Sequence, residues 1–240
     1  MPYALCYFLI NAMKNNKPKT FPYYPVFLRI HKKKCVVVGG GRVALRKVRM
    51  LLDCGGEVKV VSSTFHSNLL RLAEKKAIRL IRRDYKPGDL AGAAIVIAAT
   101  DQQEINRRVA EEAKQAGALV NVVDDPEPSS FILPSCFRKG GLTLAVSTGG
   151  KSPALARKIR TELQKNFGKE YAALLLLIGE VRSSLMRRGI RINAGRWQKA
   201  LDLEPLLRLL RVGKPKKAKQ ILLDKLTGFH PVSLGKKKKR

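Results

Sequence analysis

The stretch CVVVGGGRVALRKVRMLL, residues 35–52, restricts the fold more than any other part of the chain. It begins with four apolar residues. Such a run between charged residues and glycines is typical of a strand buried on both faces of a parallel sheet. From Val43 to Leu52 the apolar residues recur at helical spacing. A strand, a glycine turn and a helix are therefore predicted in direct succession.

The glycine turn matches the pattern G-x-G-x-x-G/A at Gly39, Gly41 and Ala44. The first glycine of this pattern allows a tight turn, and the second lets backbone amides approach a pyrophosphate. The third small residue lets the helix lie close to the sheet. Unpaired amides and the positive dipole end of the helix also favour an anion there. The turn therefore predicts a dinucleotide site.

The second predicted strand, EVKVVSSTF, lacks the acid that would hold the ribose 2′-hydroxyl of NAD. Val61, Ser62, Ser63 and Thr64 stand at its end instead. The ribose contact is therefore expected from hydroxyls or backbone atoms. This position does not decide between NAD and NADP.

Strand-like and helix-like segments alternate up to about residue 133. A short strand or lead-in, YYPVFLRI, precedes the opening unit, and after it come EVKVVSS, NLLRLAEKKA, IRLIRRDY, GAAIVIAAT, INRRVAEEAKQAG and ALVNVV. Alternation at this spacing is typical of βαβ units with right-handed crossovers. The predicted fold class is α/β, with a Rossmann-like doubly wound parallel sheet.

The pattern changes beyond residue 133. The segment DDPEPSSFILPSCFRKGG has prolines and serines where another crossover helix would belong, and LTLAVST is one further strand. The helix after GGK takes Ser152 as its N-cap and Pro153 at its first position. Only helices are predicted from residue 171 onward, and AGRWQKALDLEPLLRLLRV is expected to be interrupted at Pro205.

The chain is strongly basic, with 48 Lys and Arg against 18 Asp and Glu and a net charge of +30. Such a surface attracts nucleic acid, anionic lipid or a small molecule with many carboxylates. Charge alone does not choose among these partners, and a merely solvated basic surface is the simpler alternative. Four cysteines without paired spacing, and no apolar run of membrane-spanning length, indicate a cytoplasmic protein with reduced thiols.

Polar side chains follow the fourth and fifth predicted strands. Thr100 and Asp101 come after the fourth strand, and Asn121, Asp124 and Asp125 lie at the end of the fifth. Open α/β sheets bind their ligands at this edge. Residues of this kind usually cap helices or form turns. Beside a nicotinamide, however, a carboxylate pair could supply a general base or bind a divalent metal.

The segment GGKS at 149–152 is not a P-loop, since Ala145 stands where that motif requires glycine. Two interpretations remain open. The amides of the loop could bind a carboxylate with Lys151 beside them, or the loop could be a plain turn with a helix cap.

Four segments resemble, in order and spacing, the precorrin-2 dehydrogenase/sirohydrochlorin ferrochelatase family, whose module also forms the amino-terminal part of siroheme synthase. The segments are VVVGGGRVALRKVRMLL, IAATDQQEIN, VNVVDDPEPSSFILP and LTLAVSTGGKSPALARKIR. The similarity spans about residues 22–165. It implies NAD+-dependent oxidation of precorrin-2 to sirohydrochlorin, followed in some members by insertion of Fe2+ to give siroheme.

The resemblance also implies a homodimer, and together with the pattern of segments along the chain it predicts a domain organisation. Five segments are expected: a flexible extension at 1–20, a Rossmann domain at 21–133, a dimerisation segment at 134–168, a helical module at 169–232 and a basic tail at 233–240.

Individual residues take roles from the same resemblance or, for Thr100, Asp101 and Asn121, from their position at the ends of predicted strands. The expected cofactor contacts are Gly39, Gly41, Arg42, Val43, Ser63, Thr64, Thr100 and Asp101. Asp124 matches the catalytic aspartate of the family and is the expected ligand for Fe2+. The tetrapyrrole would meet Asn121, Thr148, Gly149, Gly150 and Lys151. One departure is EPSSF, where serines stand in place of the Cys-Asp pair of many members.

Two other functional classes remain open. One is an NAD-binding redox sensor whose basic helical tail binds nucleic acid, and the other is a non-catalytic NAD-binding scaffold for a tetrapyrrole enzyme. Residues 151–240 hold 24 basic and 6 acidic side chains, and this charge favours the nucleic-acid-binding sensor. The same residues include only one Trp and one Tyr that could stack on bases, which argues against it. Neither a nucleic-acid nor a membrane partner is expected.

Overall fold

The computed structural model describes residues 23–228. The predicted flexible extension at 1–20 and the basic tail at 233–240 lie outside this range. The described chain forms two compact units, one ending at Leu133 and the other beginning at Pro134. Within the described range, no helix combines the length and the apolar character needed to cross a membrane.

The first unit is an alternating α/β domain. Its elements are β1 (Lys34–Val38), α1 (Arg42–Leu52), β2 (Glu57–Ser62), α2 (Ser67–Glu74), β3 (Ile78–Arg82), β4 (Ile95–Ala98), α3 (Gln103–Gln115) and β5 (Leu119–Val122). The five strands pair in parallel in the order β3-β2-β1-β4-β5. This order is that of a Rossmann-type sheet, so the predicted fold class is confirmed.

Strand β1 lies at the centre of the sheet because both of its faces are apolar. Cys35 and Val37 pack into one buried cluster with α1, while Val36 and Val38 pack into another with α3. Full burial of a valine side chain contributes on the order of 1.5–3 kcal/mol. The two clusters thus fix both helical layers, and they place the loop after Val38 at the carboxyl edge of the sheet.

The second unit combines a small sheet with helices. Its elements are β6 (Ser135–Lys139), β7 (Leu142–Val146), α4 (Pro153–Asn166), α5 (Lys169–Arg187), α6 (Ala194–Ala200), α7 (Leu203–Arg211) and α8 (Pro215–Thr227). Strands β6 and β7 form an antiparallel hairpin whose two-residue turn is Gly140–Gly141, with Gly140 in the left-handed region. Helices α5 to α8 enclose a separate apolar core.

One prediction left open is decided as a lead-in, and two other local predictions were wrong. YYPVFLRI forms no strand within its described residues. It leads into β1, which already has a partner on each side, so no free sheet edge lies beside it. SCFRK was not predicted as a strand, yet it pairs along β7. The break near Pro205 falls earlier, at Leu201–Asp202, because proline fits the first turn of α7 without losing a hydrogen bond.

Candidate functional site

The glycine turn after β1 is closed tightly against its neighbours. Gly39 has a φ of +119°, and a β-carbon on it would lie 2.3 Å from the Ala99 carbonyl oxygen. A β-carbon on Gly40 would lie 1.9 Å from the Thr64 carbonyl oxygen. The Gly39 amide also donates to the Val61 carbonyl at 2.9 Å. Neither position can hold a side chain, so these glycines serve the fold.

Gly41 differs from the two glycines before it. A β-carbon there would have no described atom within 4 Å, and its φ of −82° is accessible to any residue. It is the N-cap of α1, and no side chain caps the helix. Among the described residues, the first amide of α1 with a backbone acceptor is that of Leu45, which bonds to Gly41. Free amides therefore face open space, as a bound pyrophosphate requires.

The end of β2 lies against the glycine turn. Ser63 and Thr64 are exposed there, as a ribose contact requires. The neighbouring strand ends in Arg82, whose guanidinium lies 5.5 Å from the centre of the Phe65 ring. Arg82 was not among the predicted site residues. The absence of an acid at the end of β2 was a signal that a charged group on a neighbouring strand could take its place.

Thr100 and Asp101 follow β4 as predicted, but the Thr100 side chain is engaged within the protein. Its hydroxyl donates to Asn106 Oδ1 at 2.7 Å and accepts from the Gln102 amide at 3.2 Å. Asn106 is buried and donates in return to the Thr100 carbonyl at 3.1 Å. This clasp fixes the turn after β4, while Asp101 is exposed beside it. Asn106 is a second residue that the sequence reasoning missed.

Asp124 is held in an unusual conformation just beyond β5. Its φ of +61° lies in the left-handed region, which is uncommon for residues other than glycine. The side chain is exposed, and within residues 23–228 it has no hydrogen-bond or ion-pair partner. Burial lowers the pKa of Lys47 on α1, Arg46 lowers it further, and the charge of Asp124 opposes them. A carboxylate is thus displayed at the sheet edge within electrostatic reach of a half-buried ammonium group.

The serines of EPSSF close the outer edge of β5. Ser129 Oγ accepts from the Val122 amide at 2.8 Å, and Ser130 Oγ accepts from the Val120 amide at 2.7 Å. Asn121 is buried and donates to the Phe131 carbonyl at 3.1 Å. These bonds satisfy strand amides that would otherwise lack partners. They also hold the two ends of the Asp124 loop together.

Replacing both serines by alanine is expected to destabilise the first unit. Each substitution leaves a strand amide without its acceptor, which costs about 1–3 kcal/mol. Urea unfolding followed by circular dichroism measures the change. Ser67→Ala, an exposed serine at the start of α2, is the control, with an expected change within about 0.5 kcal/mol. Equal stability of the double variant and the wild type would contradict the structural role of the serines.

The GGKS loop in the second unit is a turn and a helix cap in its hydrogen bonding. The amides of Gly149, Lys151 and Ser152 donate to Ser147 Oγ, the Thr148 carbonyl and Thr148 Oγ1 at 3.0, 3.2 and 3.0 Å. Ser152 Oγ accepts from the Leu155 amide at 3.2 Å, as an N-cap should. The geometry favours this interpretation over an anion site formed by the amides. The Lys151 side chain remains exposed.

Candidate metal ligands are sparse. Between residues 23 and 228, His, Cys, Asp and Glu form no group of three or more able to hold a metal ion. Asp125, next to Asp124, accepts from the Glu127 amide at 3.3 Å through Oδ1. The role of Asp124 toward Fe2+ stays a prediction.

The first unit is a Rossmann-type dinucleotide-binding domain. Three features define this class: a turn that excludes side chains, an open helix N-terminus after that turn, and the strand order β3-β2-β1-β4-β5. Comparison with known proteins agrees with this class. Residues 26–135 match a family model of NAD(P)-binding domains, and residues 139–166 match the model of the central part of sirohaem biosynthesis proteins.

Individual relatives narrow the class. The chain is 38% identical over 201 residues to siroheme synthase 1 of Aeromonas salmonicida, covering 83% of this chain and 43% of that protein. It is 40% identical over 164 residues to the siroheme synthase of Methylobacillus flagellatus, covering 68% and 35%. The solved structure of SirC, a precorrin-2 dehydrogenase, aligns with a TM-score of 0.68 and 27% identity over 83% of this chain and 98% of that one.

The chain therefore belongs to the precorrin-2 dehydrogenase and siroheme synthase family, as the resemblance of its motifs predicted. It spans less than half the length of the siroheme synthases that it matches.

Proposed function

We propose that this protein oxidises precorrin-2 to sirohydrochlorin with NAD+ as hydride acceptor, in the biosynthesis of siroheme. The observation that carries the proposal is the pairing of two features in one unit. An open helix N-terminus and an exposed, unpartnered Asp124 carboxylate both lie at the carboxyl edge of the same sheet. The names of the relatives supply the substrate, since siroheme synthases and a precorrin-2 dehydrogenase resemble this chain.

Different residues bind the cofactor and transfer the proton in such a reaction. Amides at the start of α1 and the side-chain-free surface of Gly41 hold the pyrophosphate. Bound there, NAD+ would supply the hydride acceptor for the oxidation. Asp124 takes the proton released from the substrate as its new double bond forms. Its left-handed backbone and the serine bonds beyond it hold the carboxylate at the edge of the sheet.

The basic character of the chain suits a substrate with many carboxylates. A net charge of +30 attracts such a substrate over long range and should speed its capture at low salt. We assign contacts with the tetrapyrrole to the exposed Lys151 and its loop, Thr148 to Gly150. Asn121 is buried and bonded to the Phe131 carbonyl, so we assign it the positioning of the loop that carries Asp124. This role explains the charge without a nucleic-acid partner.

A homodimer and a second reaction complete the proposal. Segment 134–168 includes Leu155 and Ile159 of α4, four residues apart on one helix face and 51% and 38% exposed, which supports a subunit interface there. We also propose that the Asp124 carboxylate binds Fe2+ when Fe2+ is inserted into sirohydrochlorin as a substrate. The protein is proposed to be cytoplasmic. Sedimentation velocity measures the oligomeric state.

One assay tests both activities in turn. Precorrin-2 and NAD+ are mixed with the protein under anaerobic conditions, and NADH is followed by its absorbance. Fe2+ is added after the reaction is complete, and siroheme is followed by its own spectrum. NADH formation coupled to sirohydrochlorin is expected. No turnover with intact NAD+ binding would instead identify a non-catalytic scaffold.

A further inference from the structure

The adenosine end of the cofactor site lacks the group that usually selects NAD. In Rossmann domains an Asp or Glu at the end of the second strand bonds to the ribose 2′-hydroxyl, and its charge repels a 2′-phosphate. A nearby arginine has the opposite effect. Residues 61–65 of this chain contain no acid. Any charge beside these residues must therefore come from another segment of the folded chain.

The sheet places Arg82 there. Ser62, the last residue of β2, and Arg82, the last residue of β3, are register partners in parallel strands. Register partners lie about 4.8 Å apart and point to the same face of a sheet. The end of β2 touches the cofactor turn directly, since a β-carbon on Gly40 would lie 2.9 Å from Ser62 Oγ. Arg82 is therefore one strand away from the glycine turn.

The guanidinium of Arg82 is held in place by an aromatic ring and forms no ion pair among the described residues. It lies over the ring of Phe65, which packs against the buried cluster beneath α1. Stacking on an aromatic ring leaves the edge N–H groups of an arginine available for an anion. Arg82 is exposed and has no acidic partner among the described residues. Its neighbour Arg83, by contrast, is bound at 2.7 and 2.8 Å by both oxygens of Asp89.

We propose that Arg82, together with the exposed hydroxyls of Ser63 and Thr64, forms a subsite for the 2′-phosphate of an adenosine nucleotide. The domain then binds NADP+ at least as tightly as NAD+. This inference rests on the cofactor site of the proposed function and deepens it, since it names the residue that decides between the two acceptors.

The test is a set of binding titrations on the full chain. NAD+, NADP+, 5′-AMP and adenosine 2′,5′-bisphosphate are titrated by calorimetry at two salt concentrations. The wild type should bind each 2′-phosphorylated ligand as tightly as its counterpart or more tightly. Arg82→Ala should weaken NADP+ binding about tenfold more than NAD+ binding, because a charge-assisted contact is lost. Arg82→Lys should restore part of the difference.

Arg79→Ala is the matched control. Arg79 is exposed on the same strand, three residues before the sheet edge, and its loss changes the net charge equally. An equal shift in both alanine variants would mean that general attraction to a basic chain, and not a subsite, binds the phosphate. NAD+ binding with NADP+ measurably weaker would overturn the subsite alone. Binding of neither dinucleotide would overturn the proposed function itself.

Discussion

Gly41→Val is expected to abolish NAD+ binding while the first unit keeps its fold. The backbone at Gly41 is extended, with a φ of −82° and a ψ of −170°, which a β-branched residue adopts readily. A β-carbon there meets no described atom within 4 Å, so the protein has room for it. The open space is where the pyrophosphate must approach the amides of α1. Blocking two or more charge-assisted bonds should weaken binding by about a hundredfold or more.

Gly39→Val separates loss of the cofactor from loss of the fold. Its β-carbon would lie 2.3 Å from the Ala99 carbonyl, and its φ of +119° suits glycine alone. The free energy of unfolding should fall by about 3 kcal/mol or more. Gly41→Val should cost at most about 1 kcal/mol, the difference in N-cap preference. Calorimetric titration with NAD+ and urea unfolding measure the two effects. Undiminished NAD+ affinity in Gly41→Val would refute the placement of the pyrophosphate.

Much of the first unit was predictable because its strands are buried on both faces. Continuous apolar runs such as that of β1 leave few alternatives for a segment between glycines and charges. The turn was predictable because its glycine pattern reflects a steric requirement: at Gly39 there is no room for a side chain. What the pattern could not show is that the fold requires a glycine at position 39, whereas position 41 faces open space and is available for the proposed ligand. That distinction depends on Ala99 and Thr64, which are distant in sequence.

The site was less predictable wherever it depends on pairing between segments. Arg82 stands beside the end of β2, where we propose that the ribose binds, only because β3 pairs with β2 in parallel. Ser129 and Ser130 indicated a departure from the family pattern, and only the folded chain shows that they replace a missing strand at the edge of β5. The strand SCFRK was not predicted because it lies in a segment rich in proline and serine, which was interpreted as irregular. The Gly-Gly turn that follows it is a hairpin signal and could have indicated its pairing with β7.

Asp124→Asn is expected to remove dehydrogenation and to leave NAD+ binding nearly unchanged. Asparagine tolerates the left-handed backbone that Asp124 adopts, with a φ of +61°, so the loop should keep its shape. Alanine would add strain there and confuse the result. Loss of a positioned general base lowers the turnover number by about 10²- to 10⁴-fold. NADH formation with precorrin-2 measures the turnover number, and calorimetry measures the NAD+ dissociation constant.

Glu127→Gln is the matched control, since Glu127 is an exposed carboxylate in the same loop and its replacement removes the same charge. Its turnover number should stay within about twofold of the wild type, because a solvent-exposed charge acts weakly at a distance. If both variants lose activity equally, the loop acts through its total charge and Asp124 has no special role. If Asp124→Asn loses NAD+ affinity instead of turnover, the carboxylate positions the cofactor. Loss of turnover in Asp124→Asn alone, with NAD+ still bound, leaves proton transfer as the function of this carboxylate.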